Sequence, residues 1–119
     1  MVQFYLSLRN AIKVYHWNTL SYARHKATDD LVGSIDSLTD RFVEVYIGKY
    51  GRDEALGKAL SLDLPGLDEK KVIKFLKEAI DWLSNMLPKL LEAGDTDLLN
   101  IRDELLAAIN QALYLFSLR

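Results

Sequence analysis

An all-α chain, four amphipathic helices closed into a bundle with one crossover connection, is what this sequence predicts. Three observations point there. Only Pro65, Pro88 and six glycines interrupt long stretches of helix formers. Apolar residues recur at three- and four-residue spacing in four separate stretches. A longer link, without such spacing, separates the second stretch from the third.

The first helix is expected from Val2 to Trp17, where Phe4, Leu8, Ala11, Ile12 and Tyr15 share one face. Asn18-Thr19 breaks it. The second helix starts after Ser21, a good N-cap residue, and runs to Ile47 on a stripe of Leu31, Ile35, Leu38, Phe42 and Val45, with Gly48 and Gly51 closing it. Residues 52–66 form the crossover, with a short helix at Asp53 to Leu60 and a turn at Pro65-Gly66. The third helix follows from Asp68, its cap, through Val72, Phe75, Leu76, Ala79, Trp82, Leu83 and Met86 to Gly94, kinked or shortened by Pro88. The fourth starts at Asp95-Thr96 and carries Leu98, Leu105, Ile109, Leu113 and Phe116.

With 119 residues, half of them apolar, the chain fits one domain, residues 1–119, with one core. No apolar run is long enough to span a membrane, and Met1-Val2-Gln3-Phe4-Tyr5 lacks the basic start and apolar stretch of a signal peptide. A cytoplasmic protein is expected. The absence of cysteine excludes disulfides, thiolate metal sites and iron–sulfur clusters, leaving histidine and carboxylate to hold any metal. A formal charge of -2 with dispersed basic residues argues against nucleic-acid binding.

The chemistry-bearing residues concentrate on the second helix. Counted at roughly 100° per residue, His25, Asp29, Asp36, Asp40 and Glu44 fall within about 100° of one another, away from the core stripe. Such a row is usually a solvated face. Here a separate wet arc already exists at Asp30, Ser34, Ser37 and Arg41, while Val32, Val43 and Ile47 lie on or beside the acidic arc. That mixture suggests burial against a partner, with the acids neutralised by metal or other positive charge; a metal-binding or structural oligomer without redox turnover, and an adaptor that binds another protein through this face, are the alternatives.

His25 and Glu44 are separated by about 28 Å of helix, too far to share one ion within a chain. Two copies packed antiparallel about a two-fold axis would bring the His25/Asp29 end of one to the Asp40/Glu44 end of the other, forming two equivalent sites. A homodimer is the minimum this requires. His16, just before the turn into the second helix, can swing beside His25, and imidazoles with carboxylates suit Fe(II), with Zn(II) or Mn(II) as substitutes. Asp36 matches no ligand and is left as an approach residue for iron, a partner for Lys or Arg across the dimer, or a solvated acid.

His16-Trp17-Asn18, followed by His25, Asp29, Asp40 and Glu44, resembles the ferroxidase signature of the Dps proteins, or mini-ferritins, H-W-N then H-x3-D-x10-D-x3-E. The last helix, from Asp95-Thr96-Asp97 to Leu113-Tyr114-Leu115-Phe116, is similar to theirs, and the segment from Tyr15 to Gly51 is similar to Dps-like proteins of some large viruses and phages. The resemblance implies a ferritin-like bundle. It further implies His16, His25 and Asp29 as ligands from one subunit and Asp40 and Glu44 from its mate, in a homododecameric cage that oxidises Fe(II) and stores ferric mineral. Hydrogen peroxide is the preferred oxidant over oxygen, and protection from oxidative stress is the implied role, in the host cytoplasm or the virion. Lysine-rich tails, which let some members coat DNA, are absent, so direct DNA binding is not expected. Trp17 is an auxiliary candidate that either intercepts an oxidising equivalent or packs at the helix end. Asp97 resembles the family's pore position, and an acid there is equally good helix-dipole chemistry. Glu92, Asp95 and Asp103 are further pore candidates.

Overall fold

A computed structural model describes residues 1–58 and 60–118. These residues form five α-helices and no strand: α1, Val2–Asn18; α2, Tyr22–Tyr50; α3, Arg52–Leu56; α4, Lys71–Asp81; and α5, Thr96–Phe116. The longest, α2, extends for about 43 Å at 1.5 Å per residue, and the chain measures 43 × 27 × 21 Å. Helix α2 packs against both α5 and α1, and α4 touches α5 and α1. The shared core holds Tyr5, Ile12, Ile35, Phe42, Leu76 and Ile109, among others.

The helix ends have local causes. Ser21 accepts the Arg24 N–H at 3.2 Å through its hydroxyl and starts α2. Helix α2 runs through Gly48 and stops at Gly51, whose φ of 91° is open to glycine and strained for other residues. The Asp68 carboxylate accepts the Lys70 and Lys71 N–H groups at 3.0 and 2.7 Å, satisfying two of the donors that the start of α4 leaves without intrahelical partners.

Two segments depart from the pattern read in the sequence. The helix expected between Asp53 and Leu60 is confined to α3, and Ala59 lies outside the described residues. The third helix is α-helical only from Lys71 to Asp81; a π turn at Trp82–Met86 and a 3₁₀ turn at Leu87–Leu90 complete it. Pro88 explains the change, because a proline ring in an α-helix clashes with the carbonyl four residues back, and widening the preceding turn moves that carbonyl aside. The apolar face survives. Leu83 and Leu87 are fully buried, and Trp82 stacks on Phe4 with ring centroids 3.9 Å apart.

Among the described residues no helix is long and apolar enough to cross a membrane.

Candidate functional site

The turn between α1 and α2 brings His16 and His25 into stacking contact, with ring centroids 3.9 Å apart and planes 17° from parallel. Each ring is anchored on the other residue's main chain. His16 Nδ1 lies 2.8 Å from the His25 carbonyl, and His25 Nδ1 lies 2.9 Å from the His16 carbonyl. A carbonyl only accepts, so both Nδ1 atoms carry the proton, and in the neutral rings both Nε2 atoms keep their lone pairs. This is the arrangement that fixes the tautomer and orientation of a metal-ligating histidine.

Thr28 completes the anchor. Its fully buried hydroxyl donates to the Arg24 carbonyl at 2.7 Å, one turn back, and its lone pair takes a second share of the His16 Nδ1 proton at 3.0 Å. His16 is buried, only 5% exposed. His25, one layer out, is half-buried.

The remaining sequence candidates lie elsewhere. Asp29 is exposed one turn beyond His25, beside a groove that Asp30, Ser34 and Glu104 also line. Asp40 and Glu44 are exposed further along α2, about 22 and 28 Å of helix from His25. Among the described residues no three His, Asp or Glu side chains come close enough together to hold a metal ion. One chain therefore offers two imidazoles at one end of α2 and two carboxylates toward the other.

The apolar part of the acidic arc needs correction. Val32, read as facing a partner, is 4% exposed and belongs to the chain's own core. The physical reason is that α1 covers this flank of α2, so the buried sector is wider than the Leu31/Ile35/Phe42 stripe. Asp36 shows the same packing: its carboxylate takes the Arg9 guanidinium of α1 at 3.1 Å within the chain. Val43 and Ile47 are half-buried.

Trp17 does not pack at the end of α1 but is exposed, with Lys13 Nζ 5.3 Å from its ring centroid. Asp97 pairs with Lys49 Nζ at 2.8 Å. Its neighbour Asp95 is buried: the carboxylate takes Lys49 Nζ at 2.6 Å, the Tyr50 hydroxyl at 2.5 Å and the Glu92 N–H at 2.8 Å. These contacts, Lys49 first, hold the Asp95 carboxyl down at about 2, while its hydrogen bond pushes the Tyr50 phenol up to about 12. The cluster ties the end of α2 to the start of α5. Glu92 and Asp103 are exposed, Asp103 taking Arg102 at 2.8 Å.

Sequence reasoning missed Thr28 and Asp95 as structural anchors. A threonine three residues after a histidine on one helix was a usable signal for the first, since Thr hydroxyls commonly bond the carbonyl one turn back.

Residues 16–116 match the model of a family of unknown function, DUF5856, and the chain belongs to that family. It is 30% identical over 118 residues to the uncharacterized 14.6 kDa protein in the mobD-ri intergenic region of Enterobacteria phage T4, an alignment covering 96% of this chain and 86% of the phage protein. No solved structure matches the chain. The family match overturns the resemblance to Dps mini-ferritins. The motif that suggested it consists of a few residues at the end of α1 and spaced along α2. Acids four residues apart on an exposed face satisfy such spacing without common descent.

Proposed function

We propose that this member of DUF5856 is a metal-binding helical subunit that takes up Fe(II) and oxidises it at sites shared between two copies of the chain. The observation that supports this reading is the imidazole pair: both Nδ1 protons are committed to main-chain carbonyls, and both Nε2 lone pairs remain for an incoming ion. Nitrogen and oxygen donors without sulfur suit Fe(II), and accept Zn(II) or Mn(II).

A second chain supplies what one chain lacks. With two α2 helices antiparallel about a two-fold axis, Asp40 and Glu44 of one copy approach His16, His25 and Asp29 of the other, which answers both the 28 Å separation and the absence of a third ligand. The architecture we assign is a four-helix bundle of α1, α2, α4 and α5 with one crossover connection through α3. Fe(II) is the substrate. With peroxide as oxidant, two Fe(II) ions each give one electron, two protons are taken up, and the products are two Fe(III) and two waters. The phage relative is consistent with action in an infected host's cytoplasm or a virion.

A second reading, an adaptor for another protein, draws on the exposed side chains of Trp17, Leu20 and Tyr22 around the same turn. One experiment separates the two. The purified chain is mixed with excess Fe(II) and peroxide, and iron and protein are followed through a sizing column. Iron eluting with a dimer or larger particle is the expected result; an iron-free monomer overturns the proposal in favour of the adaptor.

A further inference from the structure

We infer that Glu69, in the connection that precedes α4, is a positioning residue for the His16/His25 pair; calling that pair a metal site rests on the function proposed above. Glu69 lies 44 residues beyond His25 in sequence and touches neither imidazole, yet its contacts fall on both sides of the turn that carries them. Its carboxylate accepts the Tyr15 hydroxyl on Oε2 and the Thr19 hydroxyl on Oε1, each at 2.8 Å. Arg24 Nη1 donates to the Glu69 carbonyl at 2.7 Å and stands 3.0 Å from Oε2.

These three partners bracket the site. Tyr15 immediately precedes His16, Thr19 is the cap that ends α1, and Arg24 immediately precedes His25. The Arg24 carbonyl also receives the Thr28 hydroxyl, whose oxygen shares the His16 Nδ1 proton. One residue from a distant segment thus fixes the end of α1 against the start of α2.

The consequence is geometric. The two rings hold their Nδ1 protons on each other's carbonyls only while the two helix ends keep their spacing, since each bond runs from one helix to the other. Removing the Glu69 carboxylate takes an acceptor from Thr19, Tyr15 and Arg24, leaving Arg24 the Glu69 carbonyl and the Tyr15 hydroxyl, at 2.7 and 3.4 Å. The spacing between the helix ends then loosens, and the imidazoles exchange between tautomers. Most of the core, including Ile35, Phe42 and Leu76, is built by other stretches of the helices and holds the fold.

The test compares wild type, Glu69→Ala, Glu69→Gln and Tyr15→Phe by imidazole ¹⁵N NMR without metal and by Co(II) titration followed through its visible spectrum. In the wild type both rings are expected as the Nδ1–H tautomer. Glu69→Ala should give averaged imidazole signals and weaken Co(II) binding about 10-fold or more, the scale of losing an outer-shell partner, with helical circular dichroism unchanged. Glu69→Gln retains one accepting oxygen and should recover part of both; Tyr15→Phe, which removes one of the two hydroxyls, should fall between wild type and Glu69→Ala. Imidazole spectra in Glu69→Ala identical to wild type would overturn the inference. Should wild type bind no Co(II), the metal reading falls, and the metal-free spectra still decide whether Glu69 positions the pair. Should Glu69→Ala not fold, Glu69→Gln and Tyr15→Phe carry the same comparison, and wild-type spectra in both overturn it.

Discussion

His16 and His25 exchange hydrogen bonds across the α1–α2 turn, each Nδ1 donating to the other's carbonyl, at 2.8 and 2.9 Å. A reciprocal pair of this kind serves two purposes. It gives the His16 carbonyl, in the last turn of α1, a donor that the helix no longer supplies, adds a donor to the His25 carbonyl, and leaves each ring with one defined unprotonated nitrogen. The bonds that shape the turn therefore also orient the two Nε2 lone pairs.

A site spanning two copies makes a prediction that a site within one chain does not. His25→Ala and Glu44→Ala chains, each inactive in Fe(II) oxidation alone, should regain activity when unfolded together and co-assembled, because some pairings restore one intact site. Rates of Fe(II) oxidation for the separate and mixed proteins check this. Assembly without any recovery would exclude a shared site.

Thr28→Val tests the anchor beneath His16. Valine matches threonine in shape but removes the hydroxyl that bonds the Arg24 carbonyl and accepts from His16 Nδ1. The expected loss is about 1–2 kcal/mol of folding stability, the scale of a buried hydrogen-bond partner removed. Urea denaturation measures it, and an unchanged midpoint would place the His16 anchor on the His25 carbonyl alone.

The Asp95 cluster sets an acid limit. Its carboxyl titrates near 2 in the folded chain, below the ordinary 3.8, so the folded state is favoured once the group is ionised above about pH 4. That contribution is lost as pH falls from about 4 toward 2. Asp95→Asn should lower stability at pH 7 and flatten this decline, which thermal unfolding between pH 2 and 7 would reveal. A mutant losing stability with the same slope as wild type would assign acid sensitivity to other carboxylates.

Burial raises the Tyr5 phenol well above its usual value, against a smaller lowering by Arg102, and its buried hydroxyl has no hydrogen-bond partner among the described residues. Deleting the oxygen removes an unmet desolvation cost while keeping the ring against Phe42, 4.9 Å away. Tyr5→Phe should therefore stabilise the fold by about 1 kcal/mol, read as a higher thermal midpoint. A lower midpoint would mean that the hydroxyl finds a partner in solution.

Much of this molecule was legible from residue order alone. The apolar stripes of α1, α2 and α5, the Ser21 cap and the break at Asn18-Thr19 depend on neighbours within a turn or two, where helical geometry alone decides which side chains share a face. The proximity of His16 to His25 was readable for the same reason, being set by a short turn. The family was not: the spacing of a few residues on α1 and α2 resembled a ferroxidase signature, and a match over residues 16–116 assigned the chain to DUF5856.

Sequence by itself thus determined an all-helical chain, the direction of its apolar faces and the candidate nitrogen and oxygen donors, because each of these is a local property of covalent order. Only the tertiary structure decided that α1 covers Val32 and takes Asp36 through Arg9, that Lys49 closes on Asp95, and that Glu69 braces the histidine turn. The Arg9–Asp36, Lys49–Asp95 and Glu69–Tyr15 contacts join residues 27 to 54 positions apart. No local propensity encodes such a contact; it follows from how the helices pack, and packing is fixed jointly by the whole apolar surface.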